Sequence, residues 1–260
     1  MSEEPVLFTR EGAIARITLN RPDVGNAIHI PLAQAFMHAA TQCDEDETIR
    51  CVILDANGRL FCAGGDVPAM AGVGEDIGKM LKEVTSYLHI GIARLSRMNK
   101  PLITAVQGPA AGAGFSLAVL GDIAIAGQSA HFTIAYPGVG LSPDGGATWL
   151  LPRLVGMRRA QEIFLLNKRV LADEAAEIGL VTRVAPDADL KSTVDQIAAQ
   201  FAVSATGALG ATRRLLQQSF GASLETQMES ETREIAMAGR SPHGREGLSA
   251  VAAKRKPNFD

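Results

Sequence analysis

The sequence is short of cysteine, of net charge and of long apolar runs. Its three cysteines, Cys43, Cys51 and Cys62, are odd in number and lack CxxC spacing. Neither a disulfide framework nor a zinc site is therefore expected, and no metal site of any kind. The three read as reduced thiols of a cytoplasmic protein, with only Cys62 beside a candidate site. A formal net charge of −3 over 260 residues gives no reason to expect nucleic-acid or membrane partners. The one basic cluster, Lys254-Arg-Lys256, reads as a solvated tail or as a contact for a phosphate. No run of about 18 apolar residues is present, so no transmembrane helix is expected. The N-terminus, Met1-Ser-Glu-Glu-Pro5, is acidic and has no apolar segment of signal-peptide type. There is no close internal repeat. Gly108-Pro-Ala-Ala-Gly-Ala-Gly114 does not match GxGxxG, and no Gly-Lys-Ser/Thr follows it, which speaks against a nucleotide fold.

What is present is an alternation of strand and helix patterns. Residues 6–9 and 13–19 alternate around the Glu11-Gly12 turn and predict a hairpin. Residues 31–41 place Leu32, Ala35, Phe36 and Ala39 on one helix face. Residues 50–55 form a short apolar strand ending at Asn57-Gly58. Residues 68–76 read as a mobile loop, and 77–98 as a helix. Strands are expected at 101–107, 123–126 and 180–184, with helices at about 112–120, 145–155, 160–166 and 172–179. This alternation predicts an α/β fold with parallel strands. From about residue 190 the pattern is helical only. The expected division is a core over residues 1–195 and a helical oligomerisation region over 196–260.

Three segments carry candidate chemistry. Two glycine-rich turns, Phe61-Cys-Ala-Gly-Gly-Asp66 and Gly108 to Gly114, each follow a strand. Free N–H groups at such turns stabilise negative charge, and small residues let a ligand approach the backbone. The other reading of the second turn is close helix–strand packing. Two turns that each supply one N–H would make an oxyanion hole, where one donor is typically worth about 10²–10³ in rate. The third segment, Tyr136-Pro-Gly-Val-Gly-Leu-Ser-Pro-Asp-Gly-Gly146, offers a lone carboxylate, Asp144, able to move a proton. Asp144 also reads as a cap for the helix that follows. Apolar and aromatic neighbours are expected around it from Tyr136, Leu141 and Trp149.

Taken together, Asn26-Ala27, Cys62-Ala-Gly-Gly-Asp66, Lys100-Pro-Leu-Ile-Thr-Ala-Val-Gln-Gly108, Gly112 to Asp122, Ala175-Ala-Glu-Ile-Gly-Leu-Val181 and the ending Arg245-Glu-Gly-Leu-Ser-Ala-Val-Ala-Ala-Lys-Arg255 resemble the crotonase (enoyl-CoA hydratase/isomerase) superfamily. The resemblance covers essentially the whole chain. It implies a crotonase-like spiral of ββα units with a C-terminal helical layer. It implies an acyl-CoA substrate, no cofactor beyond the CoA moiety of that substrate, and a homotrimer or dimer of trimers. It maps the oxyanion donors onto Gly65 and Ala113, and CoA contacts onto Ala27, Ala63, Gly65, Asp66 and Ala113. Asp66 reads more simply as a residue that caps or orients its turn.

The departures from the family pattern are informative. Hydratases of the family hold and deliver water with two glutamates, whose positions fall on Ser116 and Tyr136. Neither is a carboxylate, so hydration by the usual pair is not expected. Asp144 coincides instead with the catalytic aspartate of two other branches. Gly140-Leu-Ser-Pro-Asp-Gly-Gly146 and Leu150-Leu-Pro-Arg-Leu-Val-Gly156 resemble the ring-1,2-epoxyphenylacetyl-CoA isomerases. His89, twelve residues before Pro101, and Tyr136, eight before Asp144, resemble a His and a Trp of the 4-chlorobenzoyl-CoA dehalogenases, where the aspartate is a nucleophile. The preferred expectation is an isomerase in which Asp144 shuttles a proton. Hydrolytic dehalogenation and non-catalytic acyl-CoA binding are the alternatives. His89 reads as catalytic or as a packed or exposed helix residue, and Tyr136 as an acid or a pocket wall. His131 and His243 have no partner readable from sequence.

Overall fold

A computed structural model describes residues 4–259. Residues 1–3, which begin the acidic N-terminus, and residue 260 lie outside the described residues.

Strands β1 (Val6–Glu11) and β2 (Ile14–Leu19) form the expected antiparallel hairpin. Helix α1 (Ile30–Glu45) follows, then strand β3 (Cys51–Ala56), parallel to β2. Helix α1 is longer than its apolar stripe because both ends are held. His29 Nδ1 accepts the Leu32 N–H at 3.3 Å at its start. At its far end Lys100 Nζ donates to the carbonyls of Cys43, Asp44 and Asp46 at 2.5, 2.9 and 2.8 Å. Free C-terminal carbonyls attract a cation there.

The segment expected to be a mobile loop at 68–76 is largely helical. Asp66 accepts the Ala69 N–H at 3.3 Å and caps a short helix, α2 (Val67–Ala71), with Pro68 in its first turn. A 3₁₀ turn, Gly74–Asp76, leads into α3 (Ile77–Arg97). Strand β4 (Leu102–Val106), β5 (Ala110–Ala111), helix α4 (Ala113–Ala118), β6 (Ile123–Gly127) and β7 (His131–Thr133) come next. After a 3₁₀ turn at Tyr136–Val139 come α5 (Ala147–Val155), α6 (Met157–Leu165), β8 (Val170–Leu171), α7 (Ala172–Glu177) and β9 (Arg183–Ala185).

Strand β9 is shorter than the expected 180–184. The Leu180 and Val181 amides bond back to the Ala175 carbonyl at 2.8 and 3.1 Å, closing α7, so only the residues beyond them reach the sheet. The main sheet has the order β1-β2-β3-β4-β6-β9, parallel except for the hairpin. A second sheet, β5-β7-β8, was not expected: its strands of two or three residues are too short to show a period-2 pattern.

Alternation along the central strands builds two cores. Val52, Leu54, Leu102 and Val106 join the main cluster with α1 and α3 residues such as Phe36, Leu88 and Leu95. Their neighbours Cys51, Ile53, Ile103 and Ala105 point to the other face, as strand geometry requires. That face is covered by Leu190, Val194 and Ala198 of helix α8 (Leu190–Ala202). The expected division at 195/196 thus falls inside a helix that packs on the sheet.

Three helices complete the chain: α9 (Thr206–Ser219), α10 (Leu224–Arg240) and α11 (Pro242–Ala252). Buried Arg213 ties α9 inward. It pairs with Asp122 at 2.7 Å and donates to the carbonyls of Leu95 and Met98, where α3 ends. Helix α10 buries no residue and leaves Ile235 75% exposed. Within the basic tail, Arg255 forks onto Glu246 at 2.5 and 2.8 Å. No described helix is long and apolar enough to cross a membrane.

Candidate active site

The two glycine-rich turns lie against each other. The Ala111 N–H donates to the Cys62 carbonyl at 2.8 Å, and a Cβ on Gly114 would stand 2.3 Å from that carbonyl oxygen. Close packing, one of the two readings of the second turn, is therefore observed, and it does not exclude a donor role. Only because the turns touch do their free amides share one cavity.

The amides themselves follow from the local pairing. Ile28 and Gly65 form a parallel bridge in which the Gly64 carbonyl and the Asp66 N–H are used, at 2.7 and 3.0 Å. The Gly65 N–H is left pointing away from that bridge. The Ala113 N–H opens α4 and has no carbonyl one turn behind it. Among the described residues neither amide has an acceptor. Both residues line a cavity of about 110 Å³, with Ile28, Ala63, Met70, Leu88, Tyr136 and Asp144 among its walls. Asp144 is the one carboxylate in that lining.

Asp144 reaches the cavity through a turn that favours glycine. Gly145 and Gly146 both have positive φ, 62° and 80°. They delay the helix to Ala147, two residues after the expected start. The Asp144 carbonyl accepts the Ala147 N–H at 3.3 Å, but its carboxylate caps nothing. It turns instead to Tyr136, whose hydroxyl donates to Asp144 Oδ1. Burial first, and then the adjacent carboxylate, push the Tyr136 phenol above its ordinary value, so it stays a donor. Ser116, fully buried on α4, donates from Oγ to the Asp144 carbonyl at 2.9 Å. Ser116 and Tyr136, matched to the hydratase glutamates, thus both hold Asp144.

His89 is half exposed on α3, yet it reaches the same turn. Its Nε2 lies 3.5 Å from Asp144 Oδ2 and accepts the Gly145 N–H at 3.1 Å. The structure therefore brings Asp144, Tyr136, His89, Gly65 and Ala113 together. The other expected contact residues divide. Ala63 lines the cavity. Ala27 is buried, its carbonyl held by Arg21 at 2.5 Å, and Asp66 is occupied by its cap and by Arg21 at 3.1 Å.

One expectation is corrected. Trp149 does not wall Asp144. It is 48% exposed, stacks under the Arg153 guanidinium at 4.0 Å, and faces a separate cavity of about 770 Å³ beyond Gly145 and Gly146. Cys62 is fully buried, and desolvation pushes its thiol up to about 12, which removes it as a reactive group. His131 sits 3.0 Å from Arg169, and the His243 ring stacks on Phe259. Neither lines the Asp144 cavity. No described group of three His, Cys, Asp or Glu side chains could hold a metal ion.

Two further residues hold the backbone around the site; Asn26 stood in the Asn26-Ala27 motif, whereas Asn167 had no sequence signal. Buried Asn26, in a left-handed conformation, donates to the Asn57, Leu60 and Phe61 carbonyls and so shapes the approach to Gly65. Asn167 accepts the Ala135 N–H at 2.8 Å, which fixes left-handed Ala135 just before Tyr136. By contrast, the apolar wall from Val84 and Leu88 follows from the i, i+4 stripe of α3.

This arrangement of two free amides and one carboxylate sits in a chain whose residues 9–260 match the family model for enoyl-CoA hydratase/isomerase. The chain belongs to that family. Members of the enoyl-CoA hydratase/isomerase family similar to it differ in chemistry. A 1,2-epoxyphenylacetyl-CoA isomerase from Escherichia coli (strain K12) is 38% identical over 260 residues, covering 98% of each chain. A 4-chlorobenzoyl coenzyme A dehalogenase-2 from Arthrobacter sp is 31% identical, covering 97% of this chain and 92% of that one. The crystal structure of an enoyl-CoA hydratase from Polaromonas sp. JS666 superposes with a TM-score of 0.93 at 31% identity, covering 98% and 99% of the two chains. The expected crotonase-like α/β fold is therefore the observed one.

Proposed function

We propose that this enzyme isomerises an acyl-CoA thioester through an enolate, with Asp144 moving the proton. The observation that carries this reading is that Asp144 is the sole carboxylate lining a cavity that also holds the Gly65 and Ala113 amides. The thioester oxygen accepts both N–H groups, which stabilise the charge that develops on it. Asp144 takes a proton from one substrate carbon and the electron pair moves into the enolate. The protonated carboxyl then returns the proton at another carbon, and the double bond moves from position 3 to position 2. An epoxide substrate rearranges in the same hole. Water addition by two carboxylates has no second carboxylate to use. No cofactor is needed beyond the CoA moiety of the substrate, for which Ala27, Ala63 and Asp66 remain the proposed neighbours. Likeness to an epoxyphenylacetyl-CoA isomerase supports this reading over hydration.

Incubation with a 3-enoyl-CoA, followed by the absorbance of the conjugated 2-enoyl thioester, tests it. Asp144→Asn should lose at least about 10²-fold in kcat, the low end of what a general acid–base contributes. Full retention of rate in that variant would sink the assignment.

One observation favours a second reading. The 3.5 Å approach of His89 Nε2 to Asp144 Oδ2 places a base beside the carboxylate. In that reading Asp144 attacks a substrate carbon, a leaving group departs, and His89, once its Nε2 exchanges the Gly145 N–H for a water, activates that water to hydrolyse the resulting ester. One turnover in labelled water would then leave the label in the Asp144 carboxylate. Proton shuttling leaves it unlabelled.

The partner proposed beyond the substrate is the chain itself, as a homotrimer or dimer of trimers. Support comes from exposed apolar side chains on the last helices, with Leu248 and Val251 of α11 at 70% and 73% exposure. Sedimentation equilibrium measures this directly, and a monomer at micromolar concentration would reject it.

A further inference from the structure

We propose that Tyr136 and Ser116 form a clamp that positions Asp144 and leaves Oδ2 as the oxygen that carries the shuttled proton. This rests on Asp144 being the group that moves the proton. The two side chains grip different parts of one residue. Tyr136 donates to carboxylate Oδ1, and Ser116 donates to the main-chain carbonyl at 2.9 Å. Carboxylate and backbone are thus both fixed, which leaves the side chain little rotational freedom.

The clamp is itself held. Tyr136 opens the 3₁₀ turn Tyr136–Val139, and its carbonyl accepts the Leu141 N–H at 3.1 Å. Its ring packs against the main core. Ser116 is 1% exposed on α4, three residues after the Ala113 donor. The same short helix therefore supplies one oxyanion donor and one grip on the base. That coupling keeps the distance between carboxylate and enolate oxygen nearly constant.

The two carboxylate oxygens are not equivalent. Oδ1 is occupied by the phenol. Among the described residues Oδ2 accepts no hydrogen bond. The titratable group facing it is His89 of α3, whose Nε2 lone pair already takes the Gly145 N–H. From α4 the facing group is the Ser116 hydroxyl, and from the 3₁₀ turn the Tyr136 phenol. During each transfer the C–H bond breaks, the Oδ2–H bond forms, and the pair enters the enolate; the return reverses these changes. The phenol keeps its proton throughout. Its bond occupies Oδ1 and leaves Oδ2 to take the proton. Tyr136 and Ser116 are positioning residues, acting through Asp144.

The test compares wild type with Tyr136→Phe and Ser116→Ala. The carboxyl carbons of aspartate are labelled with ¹³C, and the Asp144 resonance is identified by its loss in Asp144→Asn. In Tyr136→Phe that resonance should shift at fixed pH, because the bond to Oδ1 is lost, and Ser116→Ala should move it by less than half as much. With a 3-enoyl-CoA, kcat of Tyr136→Phe should fall about tenfold, the order of one lost hydrogen bond, with KM changed less than about threefold. An unmoved resonance in folded Tyr136→Phe overturns the clamp. So does a KM that rises while kcat holds, which marks a merely structural role. If Tyr136→Phe loses its fold, 3,5-difluorotyrosine at position 136 decides, with Tyr87 replaced by Phe. Its stronger donor must move the resonance, and an unmoved resonance overturns the proposal. If wild type leaves 3-enoyl-CoA unchanged while the resonance still moves, the isomerase reading fails and the clamp stands.

Discussion

His89 Nε2 accepts the Gly145 N–H at 3.1 Å, so a helix 56 residues upstream holds the turn that presents Asp144. The contact joins α3 to a two-glycine turn that has few restraints of its own. His89→Ala should lower kcat with a 3-enoyl-CoA about tenfold, the order of one hydrogen bond, and change KM little. Steady-state kinetics across pH checks this. An unaltered kcat would show that the glycines hold the turn unaided.

The Ala113 amide can be removed almost alone. Proline is accepted in the first turn of a helix because its missing N–H has no partner there. Ala113→Pro should therefore fold and lose about 10²–10³ in kcat. Circular dichroism and turnover of a 3-enoyl-CoA measure the two halves of that statement. A folded variant with full rate would remove Ala113 from the oxyanion hole.

Gly114 marks where the two donor turns touch. A methyl group there would stand 2.3 Å from the Cys62 carbonyl oxygen and 2.8 Å from its carbonyl carbon. Backbone must shift to admit it. Gly114→Ala should destabilise the fold by roughly 1–3 kcal/mol, the usual cost of overpacking, and reduce activity in the folded fraction. Urea unfolding and kinetics measure both.

Lys100 is a structural ammonium. It is 5% exposed and donates to three carbonyls at the end of α1. Lys100→Met removes the donors and leaves the Cys43 carbonyl buried and those of Asp44 and Asp46 partly buried. A loss of roughly 2–3 kcal/mol in unfolding free energy is expected, with activity per folded molecule unchanged. A thermal or urea midpoint equal to wild type would reject this.

All three thiols are pushed up to about 12 from an ordinary 9.0, and burial is the leading cause at each. A disulfide-exchange reagent at pH 8 should find no reactive thiol in the native protein and three after unfolding. The sign of the linked effect follows. Between pH about 9 and about 12 the unfolded chain releases thiol protons that the folded chain keeps, so stability falls as pH rises through that window. Below pH 9 the contribution is complete. Unfolding curves collected from pH 8 to 11 would show the decline.

Much of this was legible in the chain. The hairpin, the long helices and the central strands repeat with periods of 2 or 3.6 residues. Each such element buries one face, so its pattern survives in the sequence. Donor turns were legible because glycine stands where backbone meets backbone. What was not legible was short or non-periodic. The second sheet has two- and three-residue strands, and Asp66 with Pro68 made a helix of a segment that composition marked as a loop.

The sequence by itself determined the family, the fold and the lone carboxylate of the site. The α/β class follows from periodicity, and the family from the resemblance of motifs along the chain; both are read from local residue order. Tertiary structure alone decided what Asp144 touches. Ser116 lies 28 residues before it, Tyr136 eight before, and His89 one residue further from Gly145 than from Asp144. It also removed Trp149 from the site and left the Gly65 and Ala113 amides facing one cavity. Hydrogen bonds between separate elements leave no period in the chain, so only the packing of those elements could bring them together.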